Sequence, residues 1–282
     1  MGILIVHGMG NQAPDFADAV ITGLYRKIEA AGADPSFIRW RPAYWADVLQ
    51  YKEDNLWRNL SEHNKMKWAG LRKFVVSAFG DAIAYQRVKK DEDVYFKIHQ
   101  KIHEHLAGLR EEINSENDGD GDVPLIIMAH SLGCYVISNY IWDRQKKYEP
   151  EIFGGNDFLE MKTLTGIITY GCNIPLFSLA YDPVEAVKFP PEGLRVFFPS
   201  GTDEEEIKNN AKWLNFYDPD DVLGYPLKPL SGSYDRSVTE DLAINAGSCL
   251  TSWNPMSHTA YDTDDDFLKP SAKMIADILN LL

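Results

Sequence analysis

Residues 124–142 read PLIIMAHSLGCYVISNYIW, and the two halves of this stretch demand different structures. Pro124–Ala129 is a short apolar run without polar alternation, the pattern of a strand buried on both faces. From Leu132 to about Lys146 the segment reads as an apolar helix. Between them stands Ala129-His130-Ser131-Leu132-Gly133, which is G-x-S-x-G with Ala at its first position. A serine at such a strand-to-helix corner is held in a strained backbone, and bulky residues beside it would strike the flanking strand and helix. The corner lifts Oγ to a sheet edge and sets the Leu132 N–H at a helix N-terminus, where it meets developing negative charge. Ser131 is therefore the candidate nucleophile and Leu132 a candidate oxyanion donor. The bland alternative is a serine that only caps a helix.

Working outward, further short apolar runs alternate with helical stretches. Strands are expected at Gly2–His7, Phe37–Trp40, Leu164–Tyr170, Trp213–Tyr217 and Leu242–Asn245, and helices at Pro14–Ala31 and from about Pro270 to Leu282. This rhythm predicts an α/β fold, a mostly parallel central sheet with helices on both faces. The 282 residues fit one such domain, 1–282. Two stretches break the rhythm. Residues 44–113 read as helices rich in Trp, Leu and Phe, a helical cap insertion. Residues 174–211 carry five prolines and little periodicity, an irregular loop or lid region.

Two further segments carry chemistry. Trp213–Tyr217 runs into Asp218-Pro219-Asp220-Asp221-Val222-Leu223, a strand followed by an acidic turn. Asp221 has the best register for an acid just past a strand, with Asp218 second and Asp220 third; turn formation around Pro219 accounts for at least some of the three. His258 lies in a loop between the last expected strand and the last helix. A serine hydroxyl is not nucleophilic at neutral pH. It needs an imidazole in reach, and that imidazole needs a carboxylate to fix its tautomer.

The order Ser131, Asp221, His258 resembles that of the α/β-hydrolase superfamily over essentially the whole chain. That resemblance implies an α/β-hydrolase fold and acyl-ester chemistry with Ser131, Asp221 and His258 as catalytic residues. Similarity of His7-Gly8-Met9-Gly10 to the HG-x-G of lipase-like hydrolases implies Met9 N–H as the second oxyanion donor beside Leu132. Several segments are similar to DDHD-type intracellular phospholipases A1: Arg41-Pro-Ala-Tyr-Trp45, Phe79-Gly-Asp-Ala-Ile-Ala-Tyr85, AHSLG, Asp221-Val-Leu-Gly-Tyr225 and Ser257-His258-Thr-Ala-Tyr261. In that family the acid matches Asp221. The function this implies is a serine esterase or lipase acting on medium or long acyl esters.

A rival reading uses Gly8-Met9-Gly10-Asn11-Gln12-Ala13 as a dinucleotide fingerprint, which makes the chain an NAD(P)-binding oxidoreductase. The next strand ends Trp40-Arg41 without the acid that would hold a ribose, although Arg41 suits a 2′-phosphate. A catalytically silent binding protein on the same fold is the other alternative. The expected chemistry needs no cofactor and no metal. His99 and His103, four apart on a predicted helix with His105 nearby, read as a solvated face.

Net charge is −14, a field that repels nucleic acid and anionic membranes. Cys134, Cys172 and Cys249 have no paired spacing and read as reduced core residues. With no signal segment before the first strand, a cytoplasmic location is expected. No apolar run is long enough for stable membrane insertion. Leu56–Phe79, where Trp57, Trp68, Phe74 and Phe79 mix with Lys65, Lys67, Arg72 and Lys73, reads as a cap helix packing on the core, with transient interfacial contact as the alternative. The same aromatics could wall an acyl-chain site.

Overall fold

The computed structural model describes residues 1–9, 12–62, 67–85, 94–116, 123–196, 204–247 and 258–282. In chain order they form β1 (Gly2–Val6), α1 (Asp18–Ala30), β2 (Arg39–Ala43), α2 (Asp47–Ser61), α3 (Ala69–Ala84), α4 (Val94–Glu116), β3 (Leu125–His130) and α5 (Leu132–Gln145). There follow α6 (Pro150–Phe153), β4 (Leu164–Tyr170), α7 (Ile174–Ser178), α8 (Glu204–Asn210), β5 (Lys212–Tyr217), α9 (Gly232–Ser237), β6 (Glu240–Ala243) and α10 (Asp265–Leu279).

The strands make one six-stranded sheet in the order β2-β1-β3-β4-β5-β6, and every neighbouring pair is parallel. Alternation along the strands sorts the core. Ile3, Ile5, Ile126 and Met128 face α1 and α10, which present Leu24, Ile28, Phe267 and Ile275. Leu4, Val6, Ile127 and Ala129 face the other way, onto α4 and α5. Each fully buried Leu or Ile contributes roughly 1.5–3 kcal/mol, so both helix layers are held by the same strands.

Four boundaries differ from expectation, each for a local reason. β2 begins at Arg39 because Pro35–Phe37 is a 3-10 turn capped by Asp34, which accepts from Ser36 N–H at 2.9 Å. Pro42 lies inside β2, tolerable because β2 is an edge strand. β6, the opposite edge, starts earlier, at polar Glu240. α1 starts at Asp18 after turns through residues 14–17. α10 starts at Asp265 because Asp264 caps it through Asp266 N–H at 2.8 Å; Pro270 then sits inside the helix, where it forfeits one backbone hydrogen bond.

The helical segment 44–113 divides in two. In α4, Ile98, Ile102, Leu106, Leu109 and Ile113 repeat at three- and four-residue spacing, and all are buried in the sheet core. That helix is a layer of the fold rather than an overhang. α2 and α3 lie outside it in sequence order, and α2 contributes Leu49 to the same core. His99 also corrects the solvated-face reading: it is buried, and its Nε2 lies 2.7 Å from Tyr85 Oη. Among the described residues no helix is long and apolar enough to cross a membrane.

Candidate active site

The strand order reverses between β1, whose chain continues to β2 on one side, and β3 on the other. At such a switch point the loops leaving the C-terminal strand ends diverge and leave a crevice. The loop after β1 and the corner after β3 meet there. Ser131 has φ 52° and ψ −124°, a positive φ that costs a non-glycine residue strain. The corner is pinned by Ser131 N–H donating to Tyr170 O at 3.1 Å and Cys134 N–H donating to Ser131 O at 3.0 Å. The small neighbours are a steric requirement. A Cβ on Gly133 would lie 2.4 Å from His7 O and 2.8 Å from Val6 O, and one on Gly8 would lie 2.7 Å from Ser131 Cβ. Ala129, at the motif's first position, is accommodated fully buried between Val6 and Thr169.

His258 is buried, and its ring bridges two sites. Its Nδ1 lies 2.8 Å from Asp221 Oδ2 and its Nε2 lies 2.8 Å from Ser131 Oγ. With the Nδ1 proton donated to the carboxylate, Nε2 is left to accept from the serine hydroxyl. Of the three candidate carboxylates, Asp221 is the one hydrogen-bonded to His258. Asp218 is also buried but is spent on backbone, accepting from Asp220 N–H and Ala246 N–H at 2.7 Å each. Asp220 is exposed. Burial opposes ionisation of Asp221, yet hydrogen bonds from His258, Leu223 N–H and Tyr261 outweigh it and leave its carboxyl below the ordinary range.

Tyr261, which in the sequence is only the last residue of the Ser257–Tyr261 segment, has a place in this network. Its hydroxyl donates to Asp221 Oδ2 at 2.9 Å and accepts from Asp218 N–H at 2.9 Å. It thus ties the acidic turn to the segment that carries His258. The available signal was its position one helical turn past the histidine, which only acquires meaning once both segments share an edge.

Two more histidines flank the corner. His7 Nδ1 donates to Gly8 O at 2.7 Å, its Nε2 accepts from Trp45 N–H at 3.0 Å, and the ring stacks on Trp45 at 4.7 Å. Burial holds its pKa down to about 4. His130 Nε2 donates to His258 O at 2.8 Å, and the ring stacks on Tyr170 at 4.9 Å. Lost hydration, with His258 nearby, brings its pKa down to about 3. Both rings act as neutral struts, one for the loop of Gly8 and Met9 and one for the histidine backbone.

Leu132 is the first residue of α5, whose opening turn has no intrahelical acceptors for its N–H groups. Met9 is half-buried and borders a cleft of about 1290 Å³. Gly10 and Asn11, needed by the dinucleotide reading, lie outside the described residues. Gly8 packs on the serine corner, and Arg41 is ion-paired with Glu112. No cluster of three potential metal ligands occurs among the described residues.

The cleft runs from Met9 and Leu223 between α3, α5 and the segment after β4. Tyr85, Tyr95, Tyr135, Trp142 and Phe177 form its aromatic walls, with Tyr135 and Phe177 stacked at 4.1 Å. On α5 the lining positions are Tyr135, Ser138, Asn139, Trp142 and Asp143, one helix face that the apolar character of the segment concealed. Trp57 and Trp68, expected as walls, are not among the residues bordering it; Trp68 is 77% exposed. The side chains of Phe74 and Phe79 lie outside the described residues.

This sheet order, with the serine after the third strand and the acid after the fifth, is an α/β-hydrolase fold. Among solved structures the chain is similar to a candidate hydrolase of the alpha/beta superfamily from Xanthomonas campestris pv. campestris, at 11% identity and a TM-score of 0.42, covering 100% of this chain and 99% of that one. No family model and no curated protein sequence matches the chain.

Proposed function

We propose that the chain is a serine hydrolase of carboxylic esters with medium or long acyl chains. The observation that carries this reading is the unbroken hydrogen-bonded series Asp221–His258–Ser131, ending on a serine in a strained corner. Ser131 Oγ attacks the ester carbonyl while its proton passes to His258 Nε2, and the carbonyl oxygen becomes an oxyanion facing the N–H groups of Met9 and Leu132. The C–O bond to the alcohol breaks as His258 returns the proton to the leaving oxygen, giving an acyl-Ser131 ester. Water then gives a proton to Nε2 and adds to the acyl carbon, and Ser131 Oγ leaves with that proton, freeing the acid. Asp221 steadies the imidazolium formed in each half.

The aromatic cleft supports an extended apolar acyl group, since each buried methylene contributes about 0.8 kcal/mol. Similarity of the quoted segments to DDHD-type phospholipases A1 supports a lipid ester. The test is intact-mass measurement after fluorophosphonate treatment. One adduct is expected, absent in Ser131→Ala, with 4-nitrophenyl octanoate turnover reduced at least about 10³-fold in the variant. Labelling at another serine, or turnover that survives the substitution, overturns the reading.

A further inference from the structure

Four large apolar side chains stand exposed around the mouth of the cleft. Leu179 is 90% exposed, Ile83 66%, Tyr181 51% and Leu176 45%, and all four border the cavity. Elsewhere such residues are scattered, as Phe37, Tyr51 and Trp68 are, and single exposed apolar residues are ordinary on any surface. A group of them bordering one apolar cleft, which Met9 of the proposed oxyanion loop and Leu223 of the acidic turn also border, is different. It leaves apolar area in water at the border of that cleft.

We propose that this rim docks the protein onto an electrically neutral lipid surface, from which an ester slides its chain into the cleft. The inference deepens the proposed function and rests on the cleft being the substrate site. The charges select the kind of surface. The chain carries −14 overall, Asp182 lies next to Tyr181 in the exposed rim segment, and Glu185 borders the cavity. Among the described residues bordering the cleft there is no Lys or Arg. An anionic headgroup layer repels such a face, whereas a zwitterionic one leaves apolar insertion unopposed. The location also differs from the aromatic and basic stretch Leu56–Phe79, the alternative interfacial segment of the sequence. Trp68 immediately precedes α3 and Ile83 lies near its end, roughly 22 Å away along the helix axis.

The test is flotation of the full chain with phosphatidylcholine vesicles and with the same vesicles doped with phosphatidylglycerol. Ser131→Ala serves as the background, so that docking is read without turnover. Binding to phosphatidylcholine is expected, weakened by the anionic lipid, and lowered about fivefold to tenfold by Leu179→Ser, the order expected for losing a partly inserted leucine. Leu176→Ser is the second variant, and thermal melting verifies that each is folded. A Trp68→Ala chain should float like its parent. Absence of binding, stronger binding to the doped vesicles, or indifference to both rim variants overturns the proposal. So does a rim that proves to join two copies, seen as a dimer by light scattering that Leu179→Ser dissociates. Any of these leaves fluorophosphonate labelling of Ser131 intact, so the two readings fail separately.

Discussion

The corner and turns that bring Ser131, Asp221 and His258 together differ in kind from the walls of the cleft beside them. At the corner, backbone geometry dictates residue type. Gly133 and Gly8 must be glycine because carbonyl and side-chain atoms stand within 3 Å of where a Cβ would be, and Asp221 must present two oxygens to three donors. In the cleft only the surface is prescribed. Tyr85, Tyr95, Tyr135, Trp142 and Phe177 come from four separate segments, and their shared property is an apolar face turned toward one space. A site built on close backbone approach tolerates almost no change, whereas a wall built on apolar area tolerates change in proportion to the area removed.

The sharpest way to break this comparison is inside the acidic turn. Asp221→Asn should lower kcat by about 10²–10⁴, since an amide cannot hold the His258 tautomer or its charge. Asp218→Asn should cost mainly stability, because its two oxygens brace backbone N–H groups, and kcat at a temperature where both variants are folded should stay within about threefold of wild type. If Asp218→Asn is the crippling change in steady-state assays, the two aspartates have been given each other's roles.

An intermediate effect is expected at the wall. Phe177→Ala removes a ring stacked on Tyr135 and should reduce the octanoyl-to-acetyl ratio of kcat/KM by roughly tenfold, on the scale of a lost aromatic contact in a cleft open to solvent. Trp68→Ala should leave that ratio unchanged. A flat response to both substitutions across a chain-length series would detach the cleft from acyl binding.

The smallest effect concerns Tyr261. Tyr261→Phe keeps the ring and withdraws one donor from Asp221 Oδ2. The carboxylate then accepts more strongly from His258 Nδ1 and favours the imidazolium. The acid limb of the kcat/KM profile should therefore move to higher pH by several tenths of a unit, with kcat within about threefold of wild type and KM little changed. A limb that stays in place while only the melting temperature falls would make the tyrosine a plain packing residue.

How legible each part was follows from the same contrast. The central strands announced themselves because β1, β3 and β4 are apolar on both faces, and AHSLG because its small residues answer to one backbone corner. The two edge strands were misplaced by two residues each. Pro42 and Glu240 carry no apolar alternation, and edge pairing depends on the neighbouring strand more than on the edge residues themselves. His99 was misread because a helix flanked by charges can still turn one histidine inward when a buried tyrosine hydroxyl awaits it. Tyr261 and the cleft walls could not be assembled at all, since their partners lie tens of residues away and no short spacing encodes the meeting.

The two neutral histidines beside the corner have a further consequence, set by proton uptake. In an unfolded chain both would bind a proton as pH falls below about 6.5, the ordinary histidine value. In the fold His7 resists until about 4 and His130 until about 3. Between those limits the unfolded state binds more protons, so stability present above the ordinary histidine range is lost steadily as pH drops. For His7 the loss is on the order of 3 kcal/mol by pH 4, a sizeable share of the roughly 5–15 kcal/mol that holds a domain together. A protonated His7 could no longer accept from Trp45 N–H, so the strut beside Gly8 and Met9 would fail as pH nears about 4. Acid near pH 4 therefore acts on the support of the Gly8–Met9 loop, which packs on the corner that holds Ser131.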